Sequence, residues 1–443
     1  MNALTPALAA APLASPARRV LAGALFVGAF LFFWILIDPF VDLSDPASLL
    51  VNERSNAFKT ATTIGLALCC LVHAWATDPR RLAVLLSPPL VLLFGWFGVT
   101  VVTAVDPALS AQRFVLTLMV FEIAAVLLLL PATRADFALL LAVAAVIVLA
   151  VCYAGVVLLP AYAVHQATEI LEPQHAGHWR GAFTHKNGTG PGMVMLVIIG
   201  LFVAGALNRA LGWAIALAAG IFLVRTGAKT AIGMVLPILG LAWIVTRTRS
   251  TALRMGLVVG GVALVNLFTV GSVVLPPVHA VLEMVMRDPT FTDRAGIWAF
   301  AAEKALERPL LGQGFGGFWG TDAVALADTG TWTNTAPHSH NGYLDVLLTT
   351  GLPGLVLAIL ALLIAPLRDL ARAERSGNDP VTTLFFTRLW LFCVFFACLE
   401  GFFFLNGGPT WFVFVMTWIA VLGLRFQAAS RLVTGARAAG RLA

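Results

Sequence analysis

The sequence predicts an all-α polytopic membrane protein, and three observations carry that prediction. Charged side chains make up only 11% of the 443 residues and hydrophobic ones 60%, whereas a soluble domain holds about 25% charged residues. Several uncharged runs approach the roughly 20 residues that a helix needs to cross a bilayer. Those runs are continuous rather than alternating, which argues against a transmembrane β-barrel.

Residues 1–19 read as a cytoplasmic tail that is Ala/Pro-rich and ends in Arg18 and Arg19. The apolar run 20–37 follows without a convincing cleavage site and is long enough to span, so it reads as the first helix and not as a signal peptide. Further runs lie at 57–76, 82–103, 111–130, 137–159, 189–207, 211–225, 230–246, 255–275, 341–365, 384–404 and 409–424. Together they predict about twelve transmembrane helices. Helices one to nine occupy 20–275 and ten to twelve occupy 341–424, with a large loop 276–340 between them and a basic tail 425–443.

The arginines set the orientation. Arg80, Arg81, Arg134, Arg209, Arg247, Arg249, Arg254, Arg368, Arg372 and Arg375 fall in alternate loops, on the side of the tail's Arg425, Arg431, Arg437 and Arg441. By the positive-inside rule both termini are cytoplasmic, in agreement with an even span count. The net charge of +6 is spread over these loops and gives no nucleic-acid footprint. All five cysteines lie in apolar runs and read as small buried hydrophobes, not as a disulfide framework or zinc site.

The outward loops differ in kind. Residues 38–56 are acidic and turn-rich, 160–188 form a medium loop rich in histidine, and 276–340 form the largest loop. A loop of that length with its own pattern is usually functional. Within it, 293–307 reads as a short helix with Thr292 as N-cap, Asp293 in the first turn and Pro309 as the stop.

Where this loop meets the apolar run stands HSHN, residues 338–341. His338 and His340 would sit at the first turn of a membrane helix, at headgroup level. The same face receives Arg180, Lys186, Arg225, Lys229 and Arg294 from separate segments. Arg offers a planar fork for phosphate oxygens and Lys a point charge, so the set suits a lipid-linked phosphate or diphosphate. A helix N-terminus beside His340 disfavours imidazolium, and a neutral imidazole there can take a proton from a hydroxyl. The plainer readings are that such cations bind lipid headgroups, and that a histidine at a helix start is a cap. His165, His175 and His178 read as loop residues, since no Cys or carboxylate stands at ligand spacing; no metal and no cofactor is expected.

Other signals are discounted. GQGFGG at 312–317 follows a helix rather than a strand and reads as a turn. There is no GxxxxGK[ST] loop and no DxD pair in the outer loops. Glu122 lies mid-span, where a charge costs a few kcal/mol, and is the best single argument for a transporter. Asp345 and Glu400 fall near outer helix ends, where either can orient a cation or a histidine.

Four segments, in order, resemble the O-antigen ligase and polysaccharide polymerase superfamily: RGAFTHKN (180–187), LVRTGAKTA (223–231), DRAGIWAFAAEKALERPLLGQGFGGF (293–318) and HSHNGYLDVLLTTGLPG (338–354). The first is similar to the exopolysaccharide-polymerase branch. The third matches through Arg294, Trp298, Pro309, Gly312 and Gly314, and the fourth through His340, Asn341, Leu344, Gly351 and Gly354. Where members have an Arg in the second segment this chain has Lys229, which keeps the charge but loses the fork and leaves Arg225 as a stand-in.

The resemblance implies a GT-C-like, metal-independent inverting glycosyltransferase at the periplasmic face of the bacterial inner membrane. Its donor would be a polyprenyl-diphosphate-linked glycan, and its acceptor a growing glycan, a lipid A core or a protein. Arg294 and Lys229 would hold the diphosphate, with Arg180, Arg225 and Lys186 as further candidates, and His340 would activate the acceptor hydroxyl with His338 beside it. The alternative is a transporter or flippase of lipid-linked saccharides. It predicts mid-membrane charges and repeat symmetry, and the sequence shows one such charge, Glu122, and no repeat.

Overall fold

The computed structural model describes residues 16–37, 39–46, 52–77, 79–285, 291, 294–327, 332–375 and 379–423. Most of tail 1–19, Thr292, Asp293 and the tail 425–443 lie outside the described residues. The helices are α1 (Pro16–Leu31), α2 (Asn52–Thr77), α3 (Pro88–Val102), α4 (Pro107–Leu127), α5 (Arg134–Leu158), α6 (Lys186–Ala206), α7 (Arg209–Thr226) and α8 (Lys229–Arg247). Then follow α9 (Thr251–Phe268), α10 (Val270–Val274), α11 (Pro276–Val285) and α12 (Arg294–Glu307). The last are α13 (Gly342–Glu374), α14 (Pro380–Phe396) and α15 (Pro409–Gly423). Among the described residues, 8 helices are long and apolar enough to cross a membrane, and four shorter apolar helices accompany them. The protein is an all-α polytopic membrane protein.

Helix α6 is buried over most of its length, whereas α2 and α8 leave most of theirs at the surface. The exposed side chains of those outer helices include Leu68, Val72, Trp75, Leu236 and Trp243. An apolar outer face of this kind suits lipid rather than water. Inside, aromatic pairs hold distant helices together. Phe33 of the π-helical turn after α1 stacks on Phe412 of α15 at 4.3 Å, and Phe202 of α6 stacks on Phe385 of α14 at 4.3 Å.

Helix ends follow local signals. Asp106 caps α4 ahead of Pro107, and Thr133 forms a capping box with Asp136 at the start of α5. One boundary differs from expectation. The run expected to end at residue 365 continues as helix to Glu374, through a π turn at Leu360–Ile364. Pro366 lies within this helix without ending it, and residues 367–375 are mainly Leu, Arg, Ala and Glu, good helix formers. Arg368 and Arg372 therefore lie on a helical extension instead of in a loop.

The outer unit is built on α13. Ile297, Trp298, Ala301 and Ala305 of α12 pack with Phe318 and Trp319 against Leu344 and Leu348. The helix axis of α13 is broken at Gly351, with φ 69° and ψ −176°, a conformation that excludes a Cβ. Pro353 also lacks an N–H. The carbonyls this frees all find partners elsewhere. Leu348 O and Thr349 O accept from Gln313 N and Gly314 N at 2.8 and 2.9 Å, and Thr350 O accepts from Trp96 Nε1 at 2.9 Å. Leu352 N donates to Pro309 O at 2.8 Å. The Pro309–Gly314 turn is thus docked on the break, which fixes α12 against α13.

Candidate functional site

The segment after α14 carries the centre of the site. Helix α14 ends at Phe396, and the carbonyls of the three residues that follow it bind other elements. Ala397 O accepts from Gly342 N at 2.7 Å, Cys398 O from Asn341 Nδ2 at 2.8 Å, and Leu399 O from Arg294 Nη1. Three consecutive carbonyls therefore bind the start of α13 and the start of α12. Glu400 comes next, and its side chain is carried into the space between them.

Glu400 joins the residues that the sequence singled out. Its Oε2 lies 3.1 Å from Arg294 Nη2, and its Oε1 lies 2.6 Å from His340 Nδ1 and 3.6 Å from His338 Nε2. The side chains of Arg294, Glu400, His338 and His340 are 14–16% exposed. Burial alone would raise the Glu400 carboxyl, but facing His340, Arg294 and His338 outweigh it and hold it down at about 2. Burial, then the neighbouring His340, pushes the His338 imidazole down to about 3.

With Glu400 ionised and acceptor-only, its contact with His340 calls for a proton on Nδ1, which leaves Nε2 the unprotonated nitrogen of the neutral ring. His338 Nδ1 accepts from the His340 backbone N–H at 3.1 Å, so its own proton sits on Nε2. The two rings lie 4.3 Å apart.

The backbone is shaped to hold this arrangement. His340 has φ 55°, a left-handed conformation that costs a non-glycine residue on the order of 1 kcal/mol or more. It is secured on both sides. Ser339 N donates to Asp345 Oδ1 at 2.9 Å, which also accepts from Trp319 Nε1 at 3.0 Å. Asn341 caps α13 by accepting from Tyr343 N and Leu344 N, while its amide donates to Asn266 Oδ1 at 2.9 Å. His340 therefore precedes the cap and does not sit in the first helical turn. The local field also differs from expectation: the helix N-terminus is there, but the nearest charge to His340 is the Glu400 carboxylate.

The other predicted cations gather around loop 160–188. Arg180 is 0% exposed, and its guanidinium donates to Val41 O at 2.6 Å and Phe183 O at 3.3 Å. It holds the chain path and offers no fork to a ligand. Arg225 lies over the Trp179 ring at 5.0 Å, exposed at the end of α7. Lys186 is nearly buried at the start of α6, and Lys229 is exposed at the start of α8. Burial and then the Lys186 charge depress His178, with Lys229 adding to the effect.

The expectation that these loop histidines lack a carboxylate partner is corrected. Glu172 faces His175 at 3.3 Å and His185 at 2.6 Å, and the bond from His185, before the charges of His185 and His175, holds Glu172 at about 2. His175 stands three residues after Glu172 and His185 ten further on, so the grouping lay at short spacing within the loop. Nearby, His165 Nδ1 bonds Glu169 at 2.7 Å while Nε2 accepts from Lys186 N at 3.2 Å. Glu172–His175–His185 and His338–His340–Glu400 each bring three donor atoms within 4.8 Å of one another. Both sets contain ligand types that bind divalent metals. In each, the carboxylate also faces the imidazoles as an ion pair. Glu122 stands apart from both: its two oxygens are buried without a hydrogen-bond partner among the described residues.

Residues 214–359 match the O-antigen ligase family. That range includes Arg225, Lys229, Arg294, His338 and His340, and leaves out Arg180, Lys186 and Glu400. The chain is also 30% identical over 135 residues to the exopolysaccharide production protein ExoQ of Rhizobium meliloti (strain 1021). That alignment covers 29% of this chain and 29% of the relative, so the chain spans well under half of the curated protein it matches.

Proposed function

We propose, because residues 214–359 match the O-antigen ligase family, that the protein transfers or polymerises glycan from a polyprenyl-diphosphate-linked donor. The acceptor is a hydroxyl of a glycan or lipid A core, and the reaction takes place at the periplasmic face of the bacterial inner membrane. The observation that carries this reading is the sharing of one carboxylate, Glu400, between Arg294 and His340.

The chemistry needs a base on one side and cations on the other. His340 Nε2 takes the proton of the acceptor hydroxyl. The oxygen forms a bond to the anomeric carbon, and the bond to the diphosphate oxygen breaks. Polyprenyl diphosphate leaves with the electron pair, and the anomeric configuration inverts. Negative charge grows on the leaving group, where Arg294 stabilises it and removes the need for a general acid. Lys229 and Lys186 are further phosphate ligands in this proposal, Arg225 is their exposed neighbour, and no metal takes part. Glu400 keeps His340 in the tautomer that has Nε2 unprotonated and stabilises the imidazolium once the proton has moved.

The test is glycan transfer in proteoliposomes supplied with a lipid-linked oligosaccharide and separate candidate acceptors. Wild type releases polyprenyl diphosphate with a transferred or longer glycan. His340→Ala loses about 100- to 10,000-fold in rate, and Arg294→Ala about 100- to 1,000-fold, with both proteins folded. Transport of the lipid-linked sugar without transfer, abolished by Glu122→Ala, would replace the transferase by the transporter. Unchanged transfer after chelation supports the metal-free step; loss that is restored by a divalent ion would make one of the His/Glu triplets a metal centre.

A further inference from the structure

Two hollows flank the Glu400 network, and they differ in chemistry. One, of about 320 Å3, is lined by Leu264, Val265, Phe268, Leu282, Phe291 and Leu399, together with Thr269. The Thr269 hydroxyl is already bonded to Val265 O at 2.9 Å. This hollow reaches Leu399, whose carbonyl holds Arg294, and offers nothing that could recognise a sugar hydroxyl. The other, of about 840 Å3, reaches His338 and Asp345 and carries Lys59, Gln112 and Arg113 on its wall. Its remaining surface includes the aromatic rings of Phe97, Phe315, Trp319, Phe403 and Phe404.

We propose that the larger cavity is the acceptor subsite, and that it takes the terminal sugar of a neutral or anionic saccharide. This rests on the transferase reading of the histidine–arginine centre. An inverting displacement places the attacking hydroxyl and the departing diphosphate on opposite faces of the anomeric carbon. The base lies on the attacking side and Arg294 on the departing side. The cavity reaches His338, whose ring lies 4.3 Å from that of His340, and its wall includes neither His340 nor Arg294; the contact with His338 places it on the histidine side, which is the attacking side.

Its lining fits a sugar. Ring faces pack against the apolar C–H face of a pyranose, and polar tips bind its hydroxyls. The Gln112 amide lines the cavity without a hydrogen bond to the protein among the described residues. The ionic groups are cationic except for Asp345, whose Oδ1 already accepts from Ser339 N and Trp319 Nε1. A positively charged amino sugar therefore meets Asp345 against the charges of Lys59 and Arg113, whereas a uronic acid is attracted by both cations, Arg113 also donating to Gly316 O and Trp319 O.

Two variants and two readouts test the assignment. Gln112 is exposed on α4, so Gln112→Ala leaves the packing of that helix alone. Leu116→Trp places bulk in the cavity from the next turn of the same wall. In the transfer assay, Gln112→Ala raises the acceptor KM about 3- to 10-fold, the size of one neutral hydrogen bond, with the donor KM unchanged. Leu116→Trp raises the acceptor KM further. In parallel, calorimetry follows binding of a free acceptor oligosaccharide to detergent-purified protein, which needs no turnover. It shows the same ranking, with a uronic-acid-bearing oligosaccharide bound more tightly than an amino-sugar one.

A rise in donor KM with the acceptor KM unchanged would overturn the proposal and make the cavity a donor subsite. Equal binding of oligosaccharide by wild type and both variants would also overturn it. Oligosaccharide binding that is lost in the variants, in a protein that performs no transfer, would uphold the subsite while rejecting the transferase reading.

Discussion

At the scale of the residue, Glu400 decides what its neighbours can do. It neutralises Arg294 with one oxygen and orients His340 with the other. Glu400→Gln keeps the shape and removes the charge, and it is expected to lower transfer at least about 100-fold while the protein stays folded. Retention of wild-type turnover would show that His340 holds its tautomer without a carboxylate. The same cluster predicts a pH dependence of stability. His338 binds its proton near 3 in the folded protein and 6.5 in the reference state. The unfolded chain therefore takes up more protons between those values, and stability falls as pH drops through that window. Glu400, depressed from 4.5 to about 2, adds a further loss as pH falls below 4.5. Melting temperatures of purified protein from pH 7.5 to 4 should fall, and His338→Gln should flatten the upper part of that slope. An identical slope in the variant would assign the acid sensitivity elsewhere, with Glu172 the next group to examine.

At the scale of the element, the break in α13 couples the outer unit to the bundle. A Cβ at Gly351 would run into the Leu310 carbonyl, and its φ of 69° is strained for any other residue. Gly351→Ala is expected to cost about 1–3 kcal/mol and to loosen the Pro309–Gly314 turn from Leu348 and Thr349. Thermal unfolding in detergent would register the loss; an unchanged midpoint would mean that the turn docks without the break. This element also marks how far the sequence could be read. Span count and the α12 helix were legible, because apolar run length and capping residues are local signals. The hub was only half legible. Glu400 could be seen near a helix end, but its contacts with residues 294, 338 and 340 are made by the fold and leave no periodic trace. Arg180 shows the reverse error. Its charge invited a ligand role, yet its guanidinium is spent on the carbonyls of Val41 and Phe183, a use that burial reveals and spacing does not.

At the scale of the whole molecule, the orientation expected from arginine placement is open to direct measurement. Cys69 is exposed and the other cysteines are buried, so Cys69→Ala gives a background with little reactivity. In that background, Ala323→Cys in the outer unit should react with a membrane-impermeant maleimide in cells with a permeabilised outer membrane. Arg372→Cys on the helical extension should react only after the inner membrane is opened. The opposite pattern would turn the protein over and move the site to the cytoplasm.

The three carbonyls of Ala397, Cys398 and Leu399 have one more consequence, for how the gene tolerates change. They hold Gly342, Asn341 and Arg294 through backbone atoms, which every residue possesses. Leu399, half-buried, can therefore vary in identity while still doing its part, whereas its neighbour Glu400 contributes side-chain atoms that no other residue reproduces. In a saturation library selected for surface polysaccharide, the permitted alphabet should be broad at 399 and contract to glutamate at 400.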